Sequence, residues 1–389
     1  MAGVSRLRPP LRGVVWTAAV VVLAVVAVLL WRGSDAAATS STTADPPSVP
    51  DAAPAGRLSI SWSADTGPAP PRRAVETGRA LTTDAHGLAM RDPLTGREAW
   101  HYTRSNAELC GATAVNGLVV AVFRTAGRCD EAVALHAGTG VRAWYRNVNF
   151  SEDVQLASTD GIVLAWSPSG IATLDPTGNN TRWRHAASTG CRLVGADVGS
   201  TGVVVLERCE DAGALQVELL DGFSGSSTWT RTVDTGDVPA RLAGVDRLVD
   251  LVVGDRLQVL SPADGTPLQE IPLPPLSGSS ATREPLQQAG AADAALVWVR
   301  GTVYALDQTT GAPRWQVPAT GLPSVAGTAD SGSATVLVPE AGALVERSLA
   351  DGTELGRSEV DADLPGGGRT SVVGPAVVYS TADRVIGLR

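Results

Sequence analysis

Lysine is absent from the chain: all 31 basic residues are arginine. Residues 1–57 hold five arginines and three aspartates, which leaves 26 basic against 37 acidic residues in the remainder, a net charge of −11. Nucleic-acid binding needs a basic footprint, so that class is excluded. A phosphate loop is excluded as well. The glycine run Pro365-Gly366-Gly367-Gly368 lacks the Lys-Ser/Thr that would have to follow it, and reads as a flexible loop. Histidine is almost as scarce. His86, His101, His136 and His185 are scattered, and neither H-E-x-x-H nor G-x-S-x-G occurs. Only four cysteines are present, none adjacent and none spaced C-x-x-C, which argues against a four-cysteine metal site. Outside residues 14–31 no apolar stripe of helical period appears, so a helical domain is not expected.

What is present is a repeat. Asp307, then Thr310-Gly311, then Trp315 form a polar turn between two short apolar runs. The pattern recurs as Asp92 with Gly96 and Trp100, His136 with Gly140 and Trp144, Asp175 with Gly178 and Trp183, and Asp221 with Gly225 and Trp229. Fainter copies lie at Ser261 with Gly265 and at Ser348 with Gly352. The reference positions, ending at 389, are 39 to 46 residues apart, a period of about 42 that suits a propeller blade of four strands. Leu58-Ser59-Ile60-Ser61-Trp62 is a tryptophan-ended strand with no turn before it, and Ile386-Gly387-Leu388-Arg389 is the strand before a turn that is missing. The expectation is an all-β, eight-bladed propeller over residues 58–389, its eighth blade closed by pairing of the N-terminal and C-terminal strands.

Short β-branched runs bounded by glycine agree with that class, among them Leu118–Phe123, Val203–Leu206 and the hairpin Ala295–Leu306 around Arg300-Gly301. Cys110 and Cys129 are 19 apart after Trp100, and Cys191 and Cys209 are 18 apart after Trp183. Their similar places in two blades predict disulfides Cys110–Cys129 and Cys191–Cys209, each stapling an inner hairpin and each contributing about 3 kcal/mol. Such bonds suit an oxidising compartment.

Residues 14–31 are uncharged and mostly apolar, about 27 Å long if helical, enough to cross a bilayer. Arg6, Arg8 and Arg12 precede the run and only Arg32 follows before Asp35, which places residues 1–13 in the cytoplasm and the rest outside. The competing reading is a cleaved signal peptide with Ala36-Ala37-Ala38 at its site, but the apolar core is long for that, and an uncleaved single-pass anchor is expected. No cysteine lies directly after the run, which argues against a lipoprotein. Residues 32–57, rich in Ala, Ser, Thr and Pro, read as a disordered tether. The sequons at Asn149 and Asn179 read as chance matches.

The Asp-x-x-Thr-Gly-x-x-x-Trp turn resembles the tryptophan-docking motif of PQQ-like β-propellers, a superfamily that includes quinoprotein alcohol dehydrogenases and BamB-type envelope assembly proteins. The resemblance implies that Trp62, Trp100, Trp144, Trp183, Trp229 and Trp315 pack between blades. It likewise implies that the turns of Gly96, Gly140, Gly178, Gly225 and Gly311 bond to their neighbours. The dehydrogenases of the superfamily have adjacent cysteines over the quinone, carboxylate and amide ligands for calcium, and a catalytic aspartate. This chain has no adjacent cysteines and no long insertions between blades. The expectation is therefore a non-catalytic scaffold with no cofactor and no metal, binding an envelope protein or a glycan. A PQQ- and calcium-dependent dehydrogenase, and a sensor working through a membrane partner, are the alternatives.

Overall fold

The computed structural model describes residues 11–67, 71–125, 127–150, 153–178, 180–209, 214–236, 238–276, 285–326 and 334–389. Most of the expected cytoplasmic segment 1–13, and Ser151 and Asn179 of the two sequons, lie outside those residues.

Eight sheets, antiparallel through strands A to D, follow one another round a ring, and those strands run from the axis to the rim. Strand A of blade 2, for example, is Glu108–Val115 and its strand D is Arg142–Asn147. Strands B are covered on both faces by neighbouring blades and therefore read as unbroken apolar runs. Leu118–Phe123 of blade 2 and Ala294–Val299 of blade 6 are buried throughout. Strands D face solvent on one side and alternate, as in Pro313–Pro318, where only Trp315 is buried. The two-residue turn at Arg300-Gly301 has positive φ at both positions, 49° and 77°, which matches the twist of its flanking strands.

The ring closes as expected. Strand β2 (Ile60–Asp65) pairs antiparallel with Arg384–Leu388, Ile60 opposite Leu388 and Asp65 opposite Arg384. Blade 8 thus takes strand D from residues near one end of the chain and strands A to C from the other. It also has an inner fifth strand, Gly321–Leu322, parallel to Gly368–Val373.

Each motif tryptophan reaches into the next blade. The indole Nε1 donates to a carbonyl of the following C–D turn: Trp62 to Pro93 (2.8 Å), Trp100 to Ala137 (2.9 Å), Trp144 to Pro176 (2.7 Å), Trp183 to Gly222 (3.0 Å), Trp229 to Pro262 (3.0 Å) and Trp315 to Leu349 (2.9 Å). The turn glycine lies flat against that indole. A Cβ on Gly96, Gly140 or Gly225 would come within 2.5–2.7 Å of Trp62, Trp100 or Trp183, and all three glycines have positive φ.

Two expected glycines differ. Gly311 meets Val259 and Leu268, because blade 5 carries Gln269 where six of the blades have tryptophan. Gly178 sits against its own Asp175, because the glycine of this turn is one residue early; the position equivalent to Gly96 is Asn179, outside the described residues. The fainter copies dock fully, with Gly265 under Trp229 and Gly352 under Trp315.

Cys110 is joined to Cys129 and Cys191 to Cys209. The second bond staples the inner hairpin of blade 4, whose strands place the two cysteines opposite each other. The first departs from the expectation. Strand B of blade 2 ends at Thr125, so Cys129 already belongs to strand C, and the bond spans from strand A to strand C. Replacing Cys110 and Cys129 together with serine is expected to lower stability by about 3 kcal/mol, read as a lower guanidinium midpoint. An unchanged midpoint would show that the bond constrains nothing.

The helix α1 (Leu11–Arg32) contains the apolar span, slightly longer than the expected 14–31. A short helix α2 (Asp35–Ala38) and strand β1 (Thr39–Ser41) follow. The expectation of a disordered tether over 32–57 is corrected here. Strand β1 pairs with the outermost strand of blade 1, Thr39 opposite Arg104 and Ser41 opposite Tyr102. The open backbone groups of that edge bond to any extended segment whatever its side chains, so a stretch with no periodic pattern can dock there.

Candidate functional site

The strands A surround the axis of the ring, and a polar network lies along them. Arg72 and Arg73 come from the connection between blades 8 and 1. Arg72 pairs with Asp197 of blade 4 (2.5 Å) and Arg73 with Asp160 of blade 3 (2.9 Å). Asp197 also accepts from the Val198 N–H (2.9 Å). Asp246 of blade 5 accepts from Ser200 of blade 4 and from the Gly290 N–H of blade 6 (2.7 Å). Gln288 of blade 6 is the hub: its Oε1 accepts from the Asp246 N–H, its Nε2 donates to Asp250 and to Leu248 O, and its own carbonyl accepts from Arg369 of blade 8 (3.1 Å).

Two groups in this network titrate away from their ordinary ranges. Burial pushes the Asp250 carboxyl up to about 7, the Gln288 amide opposing it. Burial first, then the neighbouring Arg72 and Arg73, pushes the Arg369 guanidinium down to about 10. The network ties five blades together through groups bonded chiefly to one another. Its donor set does not fit a calcium–quinone pair. No three His, Cys, Asp or Glu side chains among the described residues are gathered for a metal, and the disulfides join cysteines 19 and 18 residues apart.

Several carboxylates away from the axis cap turns. Asp307 accepts from Arg314, from the Thr310 N–H (2.9 Å) and hydroxyl (3.0 Å) and from the Thr309 N–H (3.1 Å), which holds its carboxyl well below the usual range. The Ser224 N–H and hydroxyl do the same for Asp221. At His136 the Gly140 N–H donates to the His136 carbonyl (2.8 Å) and the Val141 N–H to the Thr139 hydroxyl (3.4 Å).

The histidines stay apart. His86 lies 2.9 Å from Ala107 O in a turn, His101 is 2.7 Å from Glu98 on the rim of blade 1, and His185 is 3.8 Å from Glu218 between blades 3 and 4. Of the glycine run at 366–368, Gly366 is exposed with open space around it, whereas Gly367 and Gly368 are packed. Gly368 N–H donates to the Tyr379 hydroxyl (3.1 Å), which lies 2.7 Å from Pro365 O, and a Cβ on Gly368 would strike the Tyr379 ring.

Two grooves flank the segment after α1. One of about 760 Å³ lies between Ala44–Pro50 and the C–D turn of blade 1, and one of about 530 Å³ lies between Ala37–Ser40 and the B–C turn Asp84–His86. Exposed apolar side chains stand on C–D turns elsewhere: Val141 in blade 2 is 51% exposed and Phe223 in blade 4 is 61% exposed, the latter with Arg182 stacked 4.8 Å over its ring. The axial cluster was not foreseen from sequence. Only Asp250 left a trace, as a lone carboxylate within Leu248–Val253.

Residues 30–205 match the PQQ_2 family model, described as outer membrane protein assembly factor BamB. The crystal structure of BamB from Moraxella catarrhalis is similar at 16% identity, covering 85% of this chain and 99% of that one, with a TM-score of 0.50. The computationally designed Ika8 protein is similar at 14% identity over 87% of this chain and 99% of its own, with a TM-score of 0.53. A quinohemoprotein alcohol dehydrogenase from Pseudomonas putida HK5 shares 13% identity over 87% and 78% of the two chains, with a TM-score of 0.46. No curated protein matches the sequence. At these identities the likenesses are likenesses of fold.

Proposed function

We propose that this PQQ-like eight-bladed propeller, whose residues 30–205 match the BamB family model, is a non-catalytic binding scaffold on the outer side of a membrane. The apolar helix Leu11–Arg32 would be its uncleaved anchor, with residues 1–13 in the cytoplasm. One observation carries the reading: the ionisable groups that could do chemistry at the axis are bonded across five blades, and Asp221 and Asp307 cap turns. What is left over is a rigid ring with loops on two faces, which suits recognition. The two disulfides support an oxidising location. An envelope protein is the partner class favoured by the family match, and the exposed Phe223 and Val141 are the natural contact points on the C–D face.

A photo-crosslinking amino acid at Phe223 or Val141 of the full-length protein, in intact cells, is expected to trap one discrete envelope protein. The same probe at Ala382, in the B–C turn of blade 8, is expected to trap it far less. Equal labelling of abundant neighbours from all three positions would overturn the scaffold reading. One-to-one calorimetric binding of PQQ with calcium would overturn its non-catalytic part.

A further inference from the structure

We propose that residues 35–50 are a docked brace that fixes the propeller against its membrane anchor, with the B–C corner of blade 1 facing the bilayer. The proposal rests on the anchor reading above. A free tether of the expected composition would let the domain wander: 26 flexible residues have a root-mean-square span of about 28 Å and a far longer maximum. Instead the chain is held two residues after Gly33. Asp35 accepts from the Arg104 guanidinium (2.7 Å) and from the Asn106 amide (2.7 Å), and Arg104 also pairs with Glu131 of blade 2. Three residues reach about 10 Å at most, so the end of α1 at Arg32 lies within that distance of the rim.

The docking continues for fifteen residues. The Ser105 N–H donates to Ala38 O (2.9 Å), the Thr42 N–H to His101 O (3.0 Å) and the Ala44 N–H to Thr139 O (2.9 Å). His101 lies 3.0 Å from the Ser40 hydroxyl and 3.3 Å from that of Thr42. Buried Arg79 donates to Asp45 O (3.1 Å). Beyond this point the chain crosses glycines of three blades. A Cβ on Gly78 would lie 2.5 Å from Val49, one on Gly138 3.1 Å from Pro47, and one on Gly374 2.6 Å from Pro50 O. The floor under the brace is thus cut to its shape at blades 1, 2 and 8.

Strand direction supplies the orientation. Because β1 runs antiparallel to Glu98–Arg104, its start lies at the Arg104 end, where the groove beside Ala37–Ser40 is lined by the B–C turn Asp84–His86. Its continuation lies at the C–D turn Asp92–Glu98. The membrane is therefore on the B–C side at blade 1, and the C–D turns with Phe223 and Val141 are on the opposite face.

The test uses the full-length protein in lipid vesicles that carry a fluorescence quencher on their headgroups. All four native cysteines are in disulfides, so a single dye can be placed at Ala85→Cys, in the blade 1 B–C turn, or at Ala263→Cys, in the blade 5 C–D turn. Quenching is expected to be strong at residue 85 and weak at residue 263. The difference should vanish when residues 35–50 are replaced by a Gly-Ser stretch of equal length. Equal quenching at both sites with the native brace, or a difference that survives the replacement, overturns the proposal. Should the protein leave the vesicles, the anchor reading fails, and hydrogen exchange at Thr42 and Ala44 decides the docking separately. Exchange slowed on the order of a hundredfold relative to the same amides in an isolated peptide of residues 35–50 supports it, and equal exchange overturns it.

Discussion

Trp229→Ala is expected to destabilise the propeller by about 3–5 kcal/mol, the range for removing a buried large aromatic side chain. Trp229 is 9% exposed, packs across the boundary between blades 4 and 5, and donates to Pro262 O (3.0 Å), an acceptor that the substitution would leave unpaired. Gly265→Ala should also be costly, for two separable reasons. Gly265 has a φ of 70°, unfavourable for any residue with a Cβ, and a methyl there would lie 2.7 Å from the indole. The three atoms it would strike are all ring atoms, so Trp229→Ala removes the clash and leaves the φ penalty. The double variant is therefore expected to lose less stability than the sum of the singles, with a coupling of about 1–3 kcal/mol in guanidinium unfolding. Strict additivity would mean that the tryptophan and the glycine do not dock as a unit.

The same pair explains what could be read from the sequence. A ring of blades must solve one packing problem at nearly every boundary, so Asp, Gly and Trp recur at fixed offsets, and the count of eight follows from the spacing. The breaks in the pattern are informative too. Blade 7 carries Gly356 at the tryptophan position, and its neighbour, blade 8, takes strands C and D from distant parts of the chain and has no turn between them to receive one. The brace was illegible for the opposite reason. Its main-chain bonds and glycine floor belong to blades 1, 2 and 8, whereas its own sequence of Ala, Ser, Thr and Pro repeats nothing. The axial network was equally hidden, since Arg72, Asp197, Asp246, Gln288 and Arg369 come from separate repeats and meet only when the ring closes.

Asp250→Asn is expected to stabilise the protein above neutral pH and to leave it nearly unchanged near pH 4. Asp250 is fully buried on strand B of blade 5, and one of its oxygens has no hydrogen-bond partner among the described residues. Burial raises its carboxyl to about 7, with only the Gln288 amide opposing and no charged neighbour contributing. The folded pKa is therefore above the unfolded one, and folding favours the protonated acid. That advantage is fully present below about pH 4, the ordinary aspartate range, and is lost as pH rises through 7. The advantage lost on ionisation is on the order of a few kcal/mol. Asparagine keeps an oxygen that can accept from Gln288 and carries no charge at any pH, so the variant should lack this decline. Guanidinium midpoints from pH 4 to 8 would show it: a falling curve for the native protein and a flatter one for the variant. Because Gln288 links Asp250 to Asp246 and Arg369, ionisation of this one carboxyl loads the hub that joins blades 5, 6 and 8. Parallel curves would instead mean that Asp250 is ionised in the folded ring and that its charge is met by the hub.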